Sequence, residues 1–159
     1  MKRFFLALLG LVLCCTPAFA EGDFDFRKVK WGMLFSEVPR NETATLKDRQ
    51  YGALESQIVY EEYFFEKKCA LIYFFNKNKL FKAAYVFSDL TERDANDIFN
   101  TLAKHFSEKY ERHGSLYKNK NTVMTLDKDA STVVAVYKEI SKEVEGKDKE
   151  NQNRDLENF

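Results

Sequence analysis

The clearest pattern of apolar and polar positions runs from Ala95 to Tyr110. Ala95, Ile98, Phe99, Leu102, Ala103, Phe106 and Tyr110 recur at the three- and four-residue spacing of one helix face. Thr91 precedes the run and Asp94 follows it three residues on, the signature of a capped helix start. His113-Gly114 reads as the end, with glycine as the left-handed cap and histidine near the negative end of the dipole. The spacing predicts a helix over residues 92–112.

Before this helix the period changes to two. Residues 56–65, 69–75 and 80–87 read as three strands joined by short polar breaks at Lys67-Lys68 and at 76–79, an antiparallel meander. The middle strand, CALIYFF, is apolar at every position, so both of its faces want cover. In the third strand, Phe81, Ala83, Tyr85 and Phe87 share one face, and Leu80, Lys82, Ala84 and Val86 the other. After the helix, residues 115–118 make a short strand, 122–126 (TVMTL) a second and 131–140 (STVVAVYKEI) a strong third. Residues 40–52 are polar, carry no period and read as loop, with a helical turn near Leu46.

The N-terminal part opens on Phe24, Phe26 and Val29, followed by Trp31-Gly32-Met33. Trp31, Leu34, Phe35 and Val38 stand at helical spacing, and Pro39 ends or restarts the turn. The expected architecture is a single α+β domain over residues 21–140. It has an antiparallel sheet of four to six strands, the long helix on one face and a short N-terminal helix. One helix cannot cover both faces of CALIYFF. The second face needs the N-terminal segment, a partner or a ligand. Trp31, Met33 and Phe35 are expected to pack on the sheet as a lid. The alternative is an exposed recognition patch, and Trp31, Met33, Phe35, Tyr73 and Phe75 are the candidate interaction surface.

Composition changes the picture at the two ends. Lys2-Arg3, the apolar run 4–15, the break at Thr16-Pro17 and Ala18-Phe19-Ala20 form a secretory signal pattern with cleavage after Ala20. A lipid-anchored form through Cys14 or Cys15 is the alternative, although Leu13 stands before Cys14, and Cys14 before Cys15, where that processing wants a small residue. Residues 141–159 are rich in lysine, glutamate, asparagine and aspartate, and read as a charged, disordered tail. Export implies a periplasmic or secreted protein with no transmembrane segment after cleavage. The chain has 25 basic and 25 acidic residues; losing Lys2 and Arg3 leaves 23 against 25, which gives no basic excess for nucleic acid or anionic lipid. Cys69 is then the single cysteine, so an internal disulfide is excluded. Its apolar strand points to burial as a small hydrophobe, with a reactive thiol or an intermolecular disulfide as alternatives.

The stretch Phe26-Arg27-Lys28-Val29-Lys30-Trp31-Gly32-Met33 with Glu37-Val38 resembles the N-terminal motif of small exported bacterial proteins that carry a WGM turn. More distantly it is similar to the SmpA/OmlA family of small envelope lipoproteins. Leu34 departs from the usual serine or threonine after the motif, and the helix-first order of SmpA/OmlA differs from the order read here. The resemblance implies a small envelope protein and carries over no catalytic residue.

Candidate chemistry is sparse. His105 sits at the edge of the helix stripe, and His113 is read as a cap. Asp127-x-Asp129 lacks the glycine and distal glutamate of a calcium loop. Glu61 and Glu62 are adjacent in a strand and point to opposite faces. The lysines at 67, 68, 77, 79 and 82 read as protection of hairpin ends. No catalytic, metal or cofactor residues are assigned. The expected function is a non-enzymatic protein-binding or envelope-assembly module whose partner is another envelope protein. The alternative is a carrier of a small apolar ligand on the aromatic sheet face.

Overall fold

The computed structural model describes residues 24–64 and 66–140. The signal pattern at 1–20 and the charged tail at 141–159 lie outside the described residues. The element order is α1 (Val38–Asn41), β1 (Thr45–Gln50), β2 (Glu55–Phe64), β3 (Lys67–Asn76), β4 (Lys79–Phe87), α2 (Glu92–Lys109), β5 (Glu111–His113), β6 (Leu116–Lys118), β7 (Thr122–Lys128) and β8 (Val133–Glu139).

The strands form one antiparallel sheet of eight, in the order β1-β2-β3-β4-β8-β7-β6-β5. The α+β reading therefore holds in outline, but the expected count of four to six strands is corrected to eight. The two strands beyond the six read from sequence, β1 and β5, are the sheet edges. All six residues of β1 and all three of β5 are exposed, so neither carries the alternation that reveals a half-buried strand. The loop and helical turn expected near Leu46 are β1, paired with β2 through Leu46↔Tyr60 and Arg49↔Ile58.

Helix α2 begins as expected, with the Thr91 hydroxyl accepting from the Asp94 amide at 3.1 Å. It ends at Lys109 rather than 112. No apolar residue extends its stripe beyond Tyr110, and residues 111–113 gain backbone partners in β6 instead. Gly114 does adopt a left-handed φ of 61°, but in the β5–β6 turn, so His113 is a strand residue and not a helix cap.

The helical turn expected over residues 31–38 is displaced to Val38–Asn41, with Pro39 in its first turn, where the missing amide hydrogen is no loss. Residues 31–35 are stitched to the start of β4 by Gly32 N–H to Leu80 O (2.7 Å), Leu80 N–H to Met33 O (2.8 Å) and Phe35 N–H to Asn78 O (3.2 Å). Gly32 has a φ of 83°, which glycine adopts without strain. Phe35 and Val38 turn inward as their spacing implies, whereas Leu34 is 39% exposed. A register shift opposite Phe74 and Phe75 moves Leu80 onto the buried face, correcting its expected place beside Lys82.

One face of the sheet holds the core: Ile58 and Tyr60, then Leu71, Tyr73 and Phe75, then Ala83, Tyr85 and Phe87, then Val133, Ala135 and Tyr137. Helix α2 lies across the β7–β8 half of this face. The N-terminal segment covers the β2–β4 half as a strap, inserting Phe26, Val29, Phe35 and Val38. Strap and helix thus share one face. Among the described residues, nothing packs across the other.

Candidate functional site

Two places gather unusual chemistry. The first lies beneath the strap. Residues 26–29 form a tight turn in which Phe26 and Val29 bond each other's backbone, and Arg27 is held at a φ of 51°. A non-glycine residue in that region is strained and persists there only where its surroundings hold it. The Arg27 guanidinium supplies the hold. It donates to Tyr85 Oη at 3.0 Å, Glu42 Oε1 at 2.8 Å and Glu62 Oε2 at 2.8 Å. Glu42, with its side chain 2% exposed, also accepts from the Tyr73 hydroxyl and the Thr43 and Ala44 amides.

The electrostatics follow from this arrangement. Burial alone would raise the Glu42 pKa, but the hydrogen bonds from Tyr73 and Ala44 and the charge of Arg27 outweigh it and hold the carboxyl below its ordinary range. Burial likewise opposes the charge of Arg27, and Tyr85 and Glu42 overcome it. Burial, reinforced by Glu42, pushes the Tyr73 hydroxyl well above its ordinary value. The buried Tyr60 hydroxyl has no hydrogen-bond partner among the described residues. The donors and acceptors of Arg27 and Glu42 are turned on one another and on neighbouring tyrosines. Chemically, the cluster clamps the strap to the sheet.

The second place is the sheet face opposite the core. The registers arrange it in three cross-strand rows. Phe74, Lys82, Lys138, Val123 and Lys118 form a row at one end. Val59, Ile72, Ala84, Val136 and Thr125 form the middle row. Glu61, Ala70, Val86, Val134 and Asp127 form the third. The face is therefore apolar at its centre and rich in lysine along one side; on the other side Asp127 marks one corner, and Glu61, paired with Lys47 and Lys68, the other. Most of its apolar residues are half-buried by their neighbours in the sheet, and Ala84 is fully so. The Lys82 ammonium lies 4.1 Å from the Phe74 ring centroid, a cation–π contact. Around the Glu61 corner, Lys47, Val59, Lys68, Ala70 and Val86 line a concavity of about 510 Å³.

The five residues of the expected interaction surface divide. Tyr73 and Phe75 have no exposed surface and Phe35 is 8% exposed, because their parity in β3 and the closure of the strap put them in the core. Only Trp31 and Met33 present area to a partner; both are half-buried and pack against the core. Trp31 also closes the strap, donating from Nε1 to the buried Thr122 Oγ1 at 2.9 Å. Glu61 and Glu62 do face opposite ways: Glu61 pairs with Lys47 and Lys68 on the open face, and Glu62 with Arg27 under the strap. Lys67 bridges to Asp94 of α2 at 2.9 Å. Asp129 caps its turn by accepting from the Ser131 and Thr132 amides. Among the described residues, no three His, Cys, Asp or Glu side chains converge as a metal site would require.

Cys69 is free and buried on the core face, and burial pushes its thiol up to about 12. In the native protein at neutral pH it should resist a soluble thiol reagent, and it should label at the rate of an ordinary thiol once denaturant unfolds the chain. Labelling at equal rates in both states would show that the start of β3 opens freely.

Sequence reasoning missed Arg27 and Glu42. Arg27 stood inside the quoted FRKVKWGM motif, but its partners come from a loop and two strands and share no spacing with it. The open face did leave a trace, in the apolar residues of both parities in β3.

Set against known proteins, the chain matches no family, and neither a curated protein nor a solved structure matches it significantly. What the fold defines is a class of architecture: one eight-stranded antiparallel sheet with a strap and a helix on the same side. Among the described residues, no helix is long and apolar enough to cross a membrane.

Proposed function

We propose that this is an exported, non-enzymatic protein-binding module of the bacterial envelope, and that its binding surface is the open face of the sheet. The observation that carries the reading is the one-sidedness of the fold: strap and helix both cover the core face, leaving Val59, Ile72, Val136 and Val134 with nothing packed over them among the described residues. A contiguous apolar patch rimmed by charge is characteristic of interaction sites. The signal pattern and the resemblance to small exported proteins support the proposed location. A second reading, a carrier of a small apolar ligand, draws support from the concavity at the Glu61 corner, whose 510 Å³ lies in the range of small-molecule sites.

Native mass spectrometry of the protein purified from its host's envelope fraction tests both. On the leading reading a second polypeptide is retained. It is lost from Ile72→Glu, on the open face, and kept by Lys104→Glu, exposed on the outer side of α2 across the sheet from it. A retained small mass, released on denaturation, would replace this reading with the carrier. A bare chain in every preparation would remove both.

A further inference from the structure

We propose that the open face is covered by a second copy of this chain, the two sheets packing face to face about a two-fold axis that runs across the strands. The inference rests on the binding reading above and names the partner that the face fits.

The geometry of the rows selects both partner and axis. A two-fold axis lying along the middle row brings that row onto itself, so Ile72, Ala84 and Val136 of one copy meet their counterparts in the other. The same rotation reverses the strand direction and lays the lysine row of each copy over the row that carries Asp127 in the other; Glu61, at the far end of that row, keeps its own Lys47 and Lys68. Asp127 lies on β7, between β6 and β8. It then falls between Lys118 and Lys138 of the second copy, and both Asp127 and Lys138 are exposed. A two-fold axis along the strands would set lysine row against lysine row, and like-charge juxtaposition of that kind is strongly disfavoured.

Size is sufficient. Five strands at about 4.8 Å and three rows about 7 Å apart give a patch of roughly 500 Å² in projection on each copy, about 1,000 Å² in all, where specific interfaces begin. Twisted sheets pack face to face about 30° from alignment, and the lysine side chains of the outer row are long enough to follow that offset.

The edges of the sheet disfavour the competing mode of association. β1 carries Lys47, Asp48 and Arg49 with a register shift between Leu46 and Asp48, and β5 is Glu111-Arg112-His113. Charged, irregular or very short edge strands resist edge-to-edge pairing. Association is thereby directed to the face.

Sedimentation equilibrium of the protein, expressed from its complete reading frame and purified, is the test. The expected result is a reversible dimer in the micromolar range. Ile72→Glu should be monomeric with an unchanged far-ultraviolet dichroism spectrum. Lys138→Glu and Asp127→Lys should each weaken association about ten-fold or more. The double variant, which exchanges the charges, should regain most of the loss, because the proposed axis opposes those two residues. Should Ile72→Glu fail to fold, the exposed Lys138→Glu and Asp127→Lys pair decides alone. A wild-type monomer at every concentration would overturn the proposal, as would a dimer indifferent to Ile72→Glu or a double variant no tighter than the singles. If the monomer nonetheless holds a different polypeptide on this face, the self-association falls and the binding reading stands. If it holds nothing, both fall.

Discussion

Replacing Glu42 by alanine should destabilise the protein by about 3 kcal/mol, the lower end of what is seen when one partner of a buried ion pair is removed. The Glu42 side chain is 2% exposed, while Arg27 is 23% exposed and keeps Glu62, so the stranded guanidinium retains one carboxylate and some water. The Tyr73 hydroxyl, fully buried, loses its acceptor as well. Urea denaturation at neutral pH measures the loss. A change below about 0.5 kcal/mol, the size of an exposed surface substitution, would mean that the strap is not held by this cluster.

The same residue gives the protein a pH dependence of defined sign. The folded state holds the Glu42 carboxyl below its ordinary value of 4.5. Its contribution is therefore complete above the unfolded pKa and is lost as pH falls through the folded one. Wild type should lose stability below about pH 4.5 more steeply than Glu42→Gln, and the gap between them should narrow with acid. A gap that stays constant from neutral pH to acid would show that Glu42 does not titrate differently in the two states.

Phe26→Ala should be the most damaging single truncation in the strap, at about 3–5 kcal/mol. The Phe26 ring sits among four others, with centroids 4.6 Å from Tyr137, 5.5 Å from Tyr85, 5.7 Å from Tyr73 and 6.5 Å from Trp31. It joins the strap to β3, β4 and β8 at once, and its neighbour Arg27 depends on the turn it anchors. Phe26→Leu retains much of the volume and should cost no more than about 1.5 kcal/mol. Because Phe26 and Arg27 are adjacent, a double variant should lose less than the two singles together. Near-ultraviolet dichroism gives a second readout, since the aromatic cluster loses its fixed environment when the strap lifts. Equal effects of alanine and leucine would indicate that the ring's packing is not what holds the turn.

Some of this architecture could be read directly from residue order. The stripe Ala95–Phe106 defined α2 to within three residues at its end, because a helix that buries one face repeats its apolar positions locally. The meander β2–β4 and the strands β7 and β8 were visible from short runs rich in aromatic and β-branched residues, alternating in β4 and continuous in β3 and β8, with short polar breaks between them. β1 and β5 were not visible, because an edge strand exposed throughout has no alternation to display.

The site divides along the same line. That β3 is apolar on both faces is a property of CALIYFF alone, and it already required two covers. Which cover lies on which face depends on where the strap returns, and that is decided by contacts distant in sequence: Arg27 with Glu62 and Tyr85, Trp31 with Thr122, Gly32 with Leu80. Those contacts set strap and helix side by side on one face. Local sequence determined α2 and the half-buried strands β2–β4, β7 and β8, because propensity and burial patterns act over neighbouring residues. Only the tertiary structure decided that strap and helix seal one face of the sheet and that the described residues leave the other uncovered, because that choice rests on pairings between segments that share no local pattern.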